Sequence, residues 1–196
     1  MRDLSLHLLD VMENSIRAEA TVISVTIEQD PAKDKLRVVV EDNGPGLAVA
    51  AEQALDPFYT TKAGKRTGLG LSLFQGAAER AGGRMTVGRS PLGGVLVAAC
   101  MRLSHVDRSP MGDLAATLSS VVCTNPEVDL WCRLVRYADE IPDSQAAPKG
   151  RVAREWVVRS SEVEKELPLG ERYGLAVARR LAEKVREGMA SVELTV

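Results

Sequence analysis

The chain has 196 residues, of which 45% are hydrophobic, 27% charged and 4% aromatic, with 25 basic against 27 acidic side chains and a net charge of -2. That length allows one domain or two small ones and excludes a repeat array or a large multidomain receptor, while the composition suits an aliphatic core rather than disorder. Near-neutrality excludes a global field for nucleic acid or an anionic membrane, so an anionic ligand has to be met locally.

Leu4, Leu8, Val11, Met12, Ser15 and Ile16 recur at steps of three and four, which predicts an opening helix with one apolar face. Asp3 and Asp10 interrupt the apolar stretch, and no run approaches the ~18 residues a membrane span needs; the expectation is an unexported, cytoplasmic chain. Residues 21–28 alternate in period two and are β-branched, Asp30, Pro31 and Lys33 break the pattern, and residues 36–41 resume it, so a hairpin follows the helix. Residues 43–67 carry Gly44, Pro45, Gly46, Pro57 and Gly64 and read as a long loop, with a short helix over 48–54. A helix over 70–81 stops at Gly82 and Gly83, and strands follow over 84–89 and 95–103. Beyond residue 103 the spacing predicts a helix over 111–122, strands over 129–138 and 152–160, turn chemistry at 142–150 and a last helix over 171–188. The expected division is a module of residues 1–103 and a smaller α+β extension, 104–196, of unknown role. Cys100, Cys123 and Cys132 show no CxxC spacing and read as reduced core residues, and Trp131 and Trp156 read as core packing in the late strands.

Three short signals carry chemistry. On the opening helix Asp10 and Asn14 are four apart and share a face; a carboxylate and an amide oxygen so placed can hold a hydrated Mg²⁺, which takes few protein ligands, and a water. At the exit of the second strand stands Asp42-Asn43-Gly44-Pro45-Gly46, where a carboxylate can accept the exocyclic amine of adenine and glycines let backbone approach a flat ring. Thr67-Gly68-Leu69-Gly70-Leu71 opens the next helix, whose free N–H groups can receive a phosphate chain, and Lys62, Lys65 and Arg66 precede it with no acidic residue between Pro57 and Gln75.

In this order the stretches LLDVMENSIRA, VEDNGPGL, DPFYTTK and GKRTGLGLSL resemble the GHKL superfamily, the ATP-binding fold shared by DNA gyrase B subunits, heat-shock chaperones, histidine kinases and mismatch-repair ATPases. With LSHVDRSPMGDLAATL added, the whole chain is similar to short stand-alone bacterial ATP-binding proteins. The resemblance implies a Bergerat-type two-layer α/β sandwich, a mixed sheet with helices on one face. It implies ATP and Mg²⁺ as cofactors, with Asn14 on the metal, Asp42 on the adenine amine, Gly44 and Gly46 shaping the adenine pocket, and Gly68 and Gly70 wrapping the phosphates. Phe58 through Arg66 would form a short lid.

Two departures bear on activity. Hydrolysing members carry Glu as general base four residues before the Asn, and here Asp10, one methylene shorter, stands there. Gly93-Gly94-Val95 replaces a frequent Gly-Thr pair near the adenine. With the module's first helix read at the start of the sequence, no phosphoacceptor hairpin is expected ahead of it, and His7 and His105 read as packed or capping side chains. The expected function is Mg-dependent ATP binding coupled to hydrolysis or to phosphorylation of an unidentified partner protein in regulation. The alternative is a non-catalytic ATP-gated interaction switch; a redox role for the cysteines is a third reading. No membrane or nucleic acid is expected as partner, and a homodimer stays open.

Overall fold

The computed structural model describes residues 3–47, 49, 69–139 and 152–194. The short helix expected over 48–54, the lid and the turn at 142–150 lie outside the described residues. Helix α1 (Leu4–Arg17) is capped by Asp3, whose carboxylate accepts from the N–H of Leu6 at 3.0 Å. The first two helical N–H groups, Leu4 and Ser5, donate to the carbonyls of Pro110 and Met111 at 2.9 and 2.8 Å, so the connector after residue 103 closes the start of α1. Strands β1 (Val22–Asp30) and β2 (Lys35–Asp42) form the expected hairpin; Asp34 takes a left-handed conformation between them, after the 3₁₀ turn Pro31–Lys33.

Helix α2 (Leu69–Arg80) ends in a Schellman motif: Gly82, at φ +68°, donates to Glu79 O and Gly83 to Ala78 O. Strands β3 (Arg84–Arg89) and β4 (Val95–Arg102) follow. The next helix, α3 (Leu114–Thr124), starts three residues later than the apolar spacing predicts, because Gly112 at φ +76° breaks the helical path and Asp113 caps at Ala116 N. Then come β5 (Asp129–Tyr137), β6 (Val152–Arg159), a short α4 (Ser160–Glu166) that the sequence reading missed, and α5 (Gly174–Val192).

One six-stranded mixed sheet results, in the order β3-β4-β2-β1-β5-β6. Its one parallel pairing joins β1 to β5; every other pair is antiparallel. Alternate residues of the strands, Ile23, Val25 and Ile27, Leu36, Val38 and Val40, and Leu130, Cys132 and Leu134, share one core with Leu4, Leu8 and Met12 of α1, Leu114 and Leu118 of α3 and Leu181 of α5. On the opposite face Arg37 and Arg133 both reach Glu28, at 3.0 and 3.8 Å, and Arg133 also meets Glu155 at 2.6 Å, a charge row crossing four strands including the β1–β5 seam. Among the described residues no helix is long and apolar enough to cross a membrane.

Candidate nucleotide site

Helix α1 carries side chains toward both ends of the site. At its middle Asp10 lies against the start of α2: a Cβ placed on Gly70 would sit 3.3 Å from Asp10 Oδ2 and 3.4 Å from Asp10 Cβ. Glycine at 70 therefore lets the first turn of α2 pack directly on a carboxylate, and the helix amino end favours negative charge at that place. One turn on, Asn14 Oδ1 accepts from the guanidinium of Arg17, which also meets Glu13 at 3.3 Å. Five residues after Asp10, about 7.5 Å along the helix axis, Ser15 donates its hydroxyl to Asp42 Oδ2 at 2.6 Å.

Asp42 is buried, 4% exposed, at the end of β2. Its Oδ1 accepts the backbone N–H groups of Gly44 and Val95, each at 3.0 Å. Gly94 donates to the Asp42 carbonyl at 3.0 Å, and a Cβ there would overlap Asp42 Oδ1 at 2.0 Å. The site thus needs glycine at 94 for a reason that does not involve the ligand. Asn43 is a clamp: its Oδ1 accepts from the N–H groups of Thr21 and Val22 at 2.9 Å each, and its Nδ2 donates to Thr21 Oγ1, fastening the exit of β2 to the start of β1. Gly44 has Asp42 Oδ1 and Ala18 O at 3.2 and 3.3 Å from a notional Cβ, and Gly46, after Pro45, takes a left-handed φ of +87°.

Of the residues singled out from sequence, Asp10, Asn14, Asp42, Gly44, Gly46, Gly70 and Leu71 are described, and Leu69 opens α2. Leu71 packs on the core. Phe58, Lys62, Lys65, Arg66, Thr67 and Gly68 lie outside the described residues. Sequence reasoning missed Ser15, which its spacing placed on the apolar face. That face is indeed buried, with Ser15 at 5% exposure, but the hydroxyl needs a polar partner there and finds Asp42.

His7, one turn before Asp10, is 2% exposed and stacks on Phe74 of α2 with centroids 5.1 Å apart and planes 12° from parallel; among the described residues neither ring nitrogen has a partner. Burial pulls its pKa below the ordinary 6.5. The folded state therefore holds His7 neutral while the unfolded chain takes up the proton first. The His7 contribution to stability is complete above the ordinary value and is lost as pH falls below it toward the lowered folded-state value. Thermal unfolding followed from about pH 8 to about pH 5.5 should show that loss. His7→Phe keeps the stack, removes two orphaned nitrogens, and should raise stability at neutral pH by about 1 kcal/mol or more while flattening the pH dependence. An unaltered pH profile in that variant would contradict the assignment.

His105 Nδ1 accepts from Asp107 N at 3.1 Å, a local turn contact. Trp156 packs on Gly188 of α5, but Trp131 departs from the core expectation: it stands in register with Ser24 and Arg159 on the charged face, its indole donates to Asp129 at 2.7 Å, and Arg159 covers the ring at 3.8 Å. The three cysteines are free, and burial pushes the Cys132 thiol up to about 12, which disfavours a reactive thiolate there.

The sequence profile described as histidine kinase-, DNA gyrase B-, and HSP90-like ATPase matches residues 2–105. The chain belongs to this ATPase family. Its matched stretch runs from α1 through β4 and spans Asp10, Asn14, Ser15, Asp42, Gly44, Gly70 and Gly94. This ATPase-family chain is 34% identical over 92 residues to the sensor histidine kinase CpxA of Escherichia coli K12, covering 44% of the chain and 20% of CpxA. It is 35% identical over 82 residues to the sensor histidine kinase ZraS of Salmonella typhi, covering 41% and 17%. It spans about a fifth of the length of these relatives. Among solved structures, the ATP binding domain of PrrB from Mycobacterium tuberculosis superposes with a TM-score of 0.40 at 22% identity, covering 50% of this chain and 64% of that one.

Among the described residues no group of three or more His, Cys, Asp and Glu is placed to enclose a metal. On α1 the amide oxygen of Asn14 lies one turn after Asp10. In the structure a cationic guanidinium, that of Arg17, sits on the same oxygen.

Proposed function

We propose that the chain binds MgATP with the adenine amine on Asp42, Gly44 and Gly46 shaping the base pocket, and the phosphates on the amino end of α2, and that it transfers the terminal phosphoryl group to water or to a partner protein. The observation that carries this reading is the placement of Asp10 against Gly70, which puts a carboxylate at the turn where the phosphate chain would end. Asp10 takes the proton of the attacking water or hydroxyl as its oxygen bonds to the γ-phosphorus and the β–γ bridge breaks. Mg²⁺ on Asn14 supplies charge neutralisation when bound. Lys62, Lys65 and Arg66, together with Thr67, Gly68, Leu69 and Leu71 around the GxG turn, serve the phosphates, and Phe58 belongs to the lid. Residues beyond the matched stretch are the candidate docking surface for the partner, with a cytoplasmic regulatory role; a second copy of the chain is one form that partner can take.

Two features favour the opposing reading, an ATP-gated switch without turnover: Asp10 is one methylene shorter than Glu, and Arg17 already holds Asn14. Phosphate release separates the two. The enzymatic reading expects turnover by the wild type that drops by about a hundred-fold or more in Asp10→Ala with ATP still bound. ATP binding by the wild type without phosphate release, alone or with its partner, overturns it and selects the switch.

A further inference from the structure

Two contacts, one helical turn apart, make the seam between α1 and α2. His7 stacks on Phe74, and one turn further along α1, about 4.5 Å on, Asp10 lies against Gly70, which stands one turn before Phe74 on α2. A step forward on α1 is thus a step back on α2, and the helices run in opposite directions along the seam. Phe74 is fully buried, whereas the other buried residues of α2 are the small Ala77 and Ala78. The first turn of α2 is therefore held on Asp10 by a seam whose bulk is the His7–Phe74 stack.

A protonated imidazole carries two N–H donors and a charge. Among the described residues neither nitrogen of His7 has a partner, so a proton added there finds no acceptor in a buried place. A cation on the face of Phe74 gains a cation–π attraction, but that gain is smaller than the cost of withdrawing an ion from water. Burial acts most strongly against the proton; the amino-terminal charge and Arg80 of α2 also repel it, while Asp10 and Asp3 of α1 attract it. The other elements packed on α1 add little. Helix α3, LAATLSSVVCT, has Cys123 as its one titratable group, and the connector meets α1 through Pro110, Met111 and Gly112. Asp42 of β2 touches α1 at Ser15, two turns beyond His7, and Lys35, Arg37 and Glu41 alternate with the core residues of β2 onto the opposite face.

We propose that this seam is a proton-sensitive latch on the phosphate end of the nucleotide site: neutral His7 keeps the first turn of α2 on Asp10, and protonated His7 leaves the stack and releases it. The latch regulates the site of the nucleotide reading above and rests on that reading. A proton and the nucleotide favour opposite states of one seam, so each weakens the binding of the other by the same factor. Nucleotide affinity falls as the pH drops below the ordinary histidine value of 6.5, and nucleotide bound at acidic pH drives the proton off His7.

The test titrates MgATP into the wild type and His7→Phe by calorimetry at about pH 8 and about pH 5.5, with thermal unfolding recorded at each pH. His7→Phe keeps a ring on Phe74 and carries no proton. ATP itself takes up a proton in this range, and that part is common to both proteins, so the readout is the difference between them. Between the two pH values the wild type should lose at least about five-fold more affinity than His7→Phe. The second readout is the ring-proton NMR titration of His7, one of two histidines in the chain and assigned with His105→Gln. Its midpoint should move to lower pH when ATP is bound. Equal pH dependence in the two proteins, or a His7 midpoint that ATP leaves in place, overturns the latch and leaves the nucleotide reading standing. If His7→Phe does not unfold cooperatively, the His7 midpoint decides alone. Absence of ATP binding by the wild type at pH 8 overturns the nucleotide reading and the latch with it.

Discussion

Alanine at position 94 is expected to lower the affinity for ATP by roughly a hundred-fold and to cost about 1 to 3 kcal/mol of stability. The methyl group would lie 2.0 Å from Asp42 Oδ1, 2.6 Å from the N of Gly44 and 2.7 Å from the Asp42 carbonyl oxygen. Two of those three atoms are backbone and held by the clamp of Asn43, so the side chain of Asp42 has to give way. Moving it breaks the contacts from Gly44 and Val95 together and removes the acceptor proposed for the base. Gly88, on the neighbouring strand β3, has nothing within 4 Å of a notional Cβ and no positive φ, so Gly88→Ala serves as the control with affinity and stability near wild type. Calorimetry with ATP on the two variants reads the difference; wild-type affinity in Gly94→Ala would show that the base does not depend on Asp42.

Gly83→Ala should be the most damaging single substitution to the fold. A Cβ there would fall 1.8 Å from the Cys100 carbonyl oxygen and 2.6 Å from the Cys100 carbonyl carbon and Met101 Cα, all backbone of β4. The neighbour cannot rotate away, because Cys100 is paired on one side with Arg84 and on the other with Arg37. Gly83 itself is fastened to Ala78 at the end of α2, so relief requires opening either the Schellman turn or the β3–β4 pair. The expected loss exceeds about 3 kcal/mol, measured by denaturant unfolding, or the variant does not accumulate as folded protein. A midpoint close to wild type would mean that α2 and β4 do not approach as described.

Much of this was legible in the sequence, and the parts that were not share a physical reason. Local signals found α1 from its three-and-four spacing, the β1–β2 hairpin from β-branched alternation, and the stop of α2 from Gly82-Gly83. They found Asp42 at a strand exit and Asp10 on a helix because each depends on a few neighbouring residues. Strand order was hidden: nothing near Val22 or Asp129 announces that β5 runs parallel beside β1, since that pairing is decided by packing between segments a hundred residues apart. Helix α4, SSEVEKE, escaped because seven largely polar residues show no periodicity, and it starts where Asp129 accepts from Ser161 N. Spacing puts Ser15 on the apolar face of α1, but its partner Asp42 is twenty-seven residues away in sequence. His7 gave no sign of its unpartnered nitrogens, which only the stack on Phe74 creates.

In the proposed function one α1-centred site holds ATP with its base on Asp42 and its phosphates at the start of α2. A crystal structure of the chain with a non-hydrolysable ATP analogue and Mg²⁺ tests it most directly. The expected result is the exocyclic amine within hydrogen-bond distance of Asp42 Oδ2, the terminal phosphate at the amino end of α2 beside Asp10, and Asn14 released from Arg17. A nucleotide bound elsewhere, or bound here with its base turned away from Asp42, would contradict it.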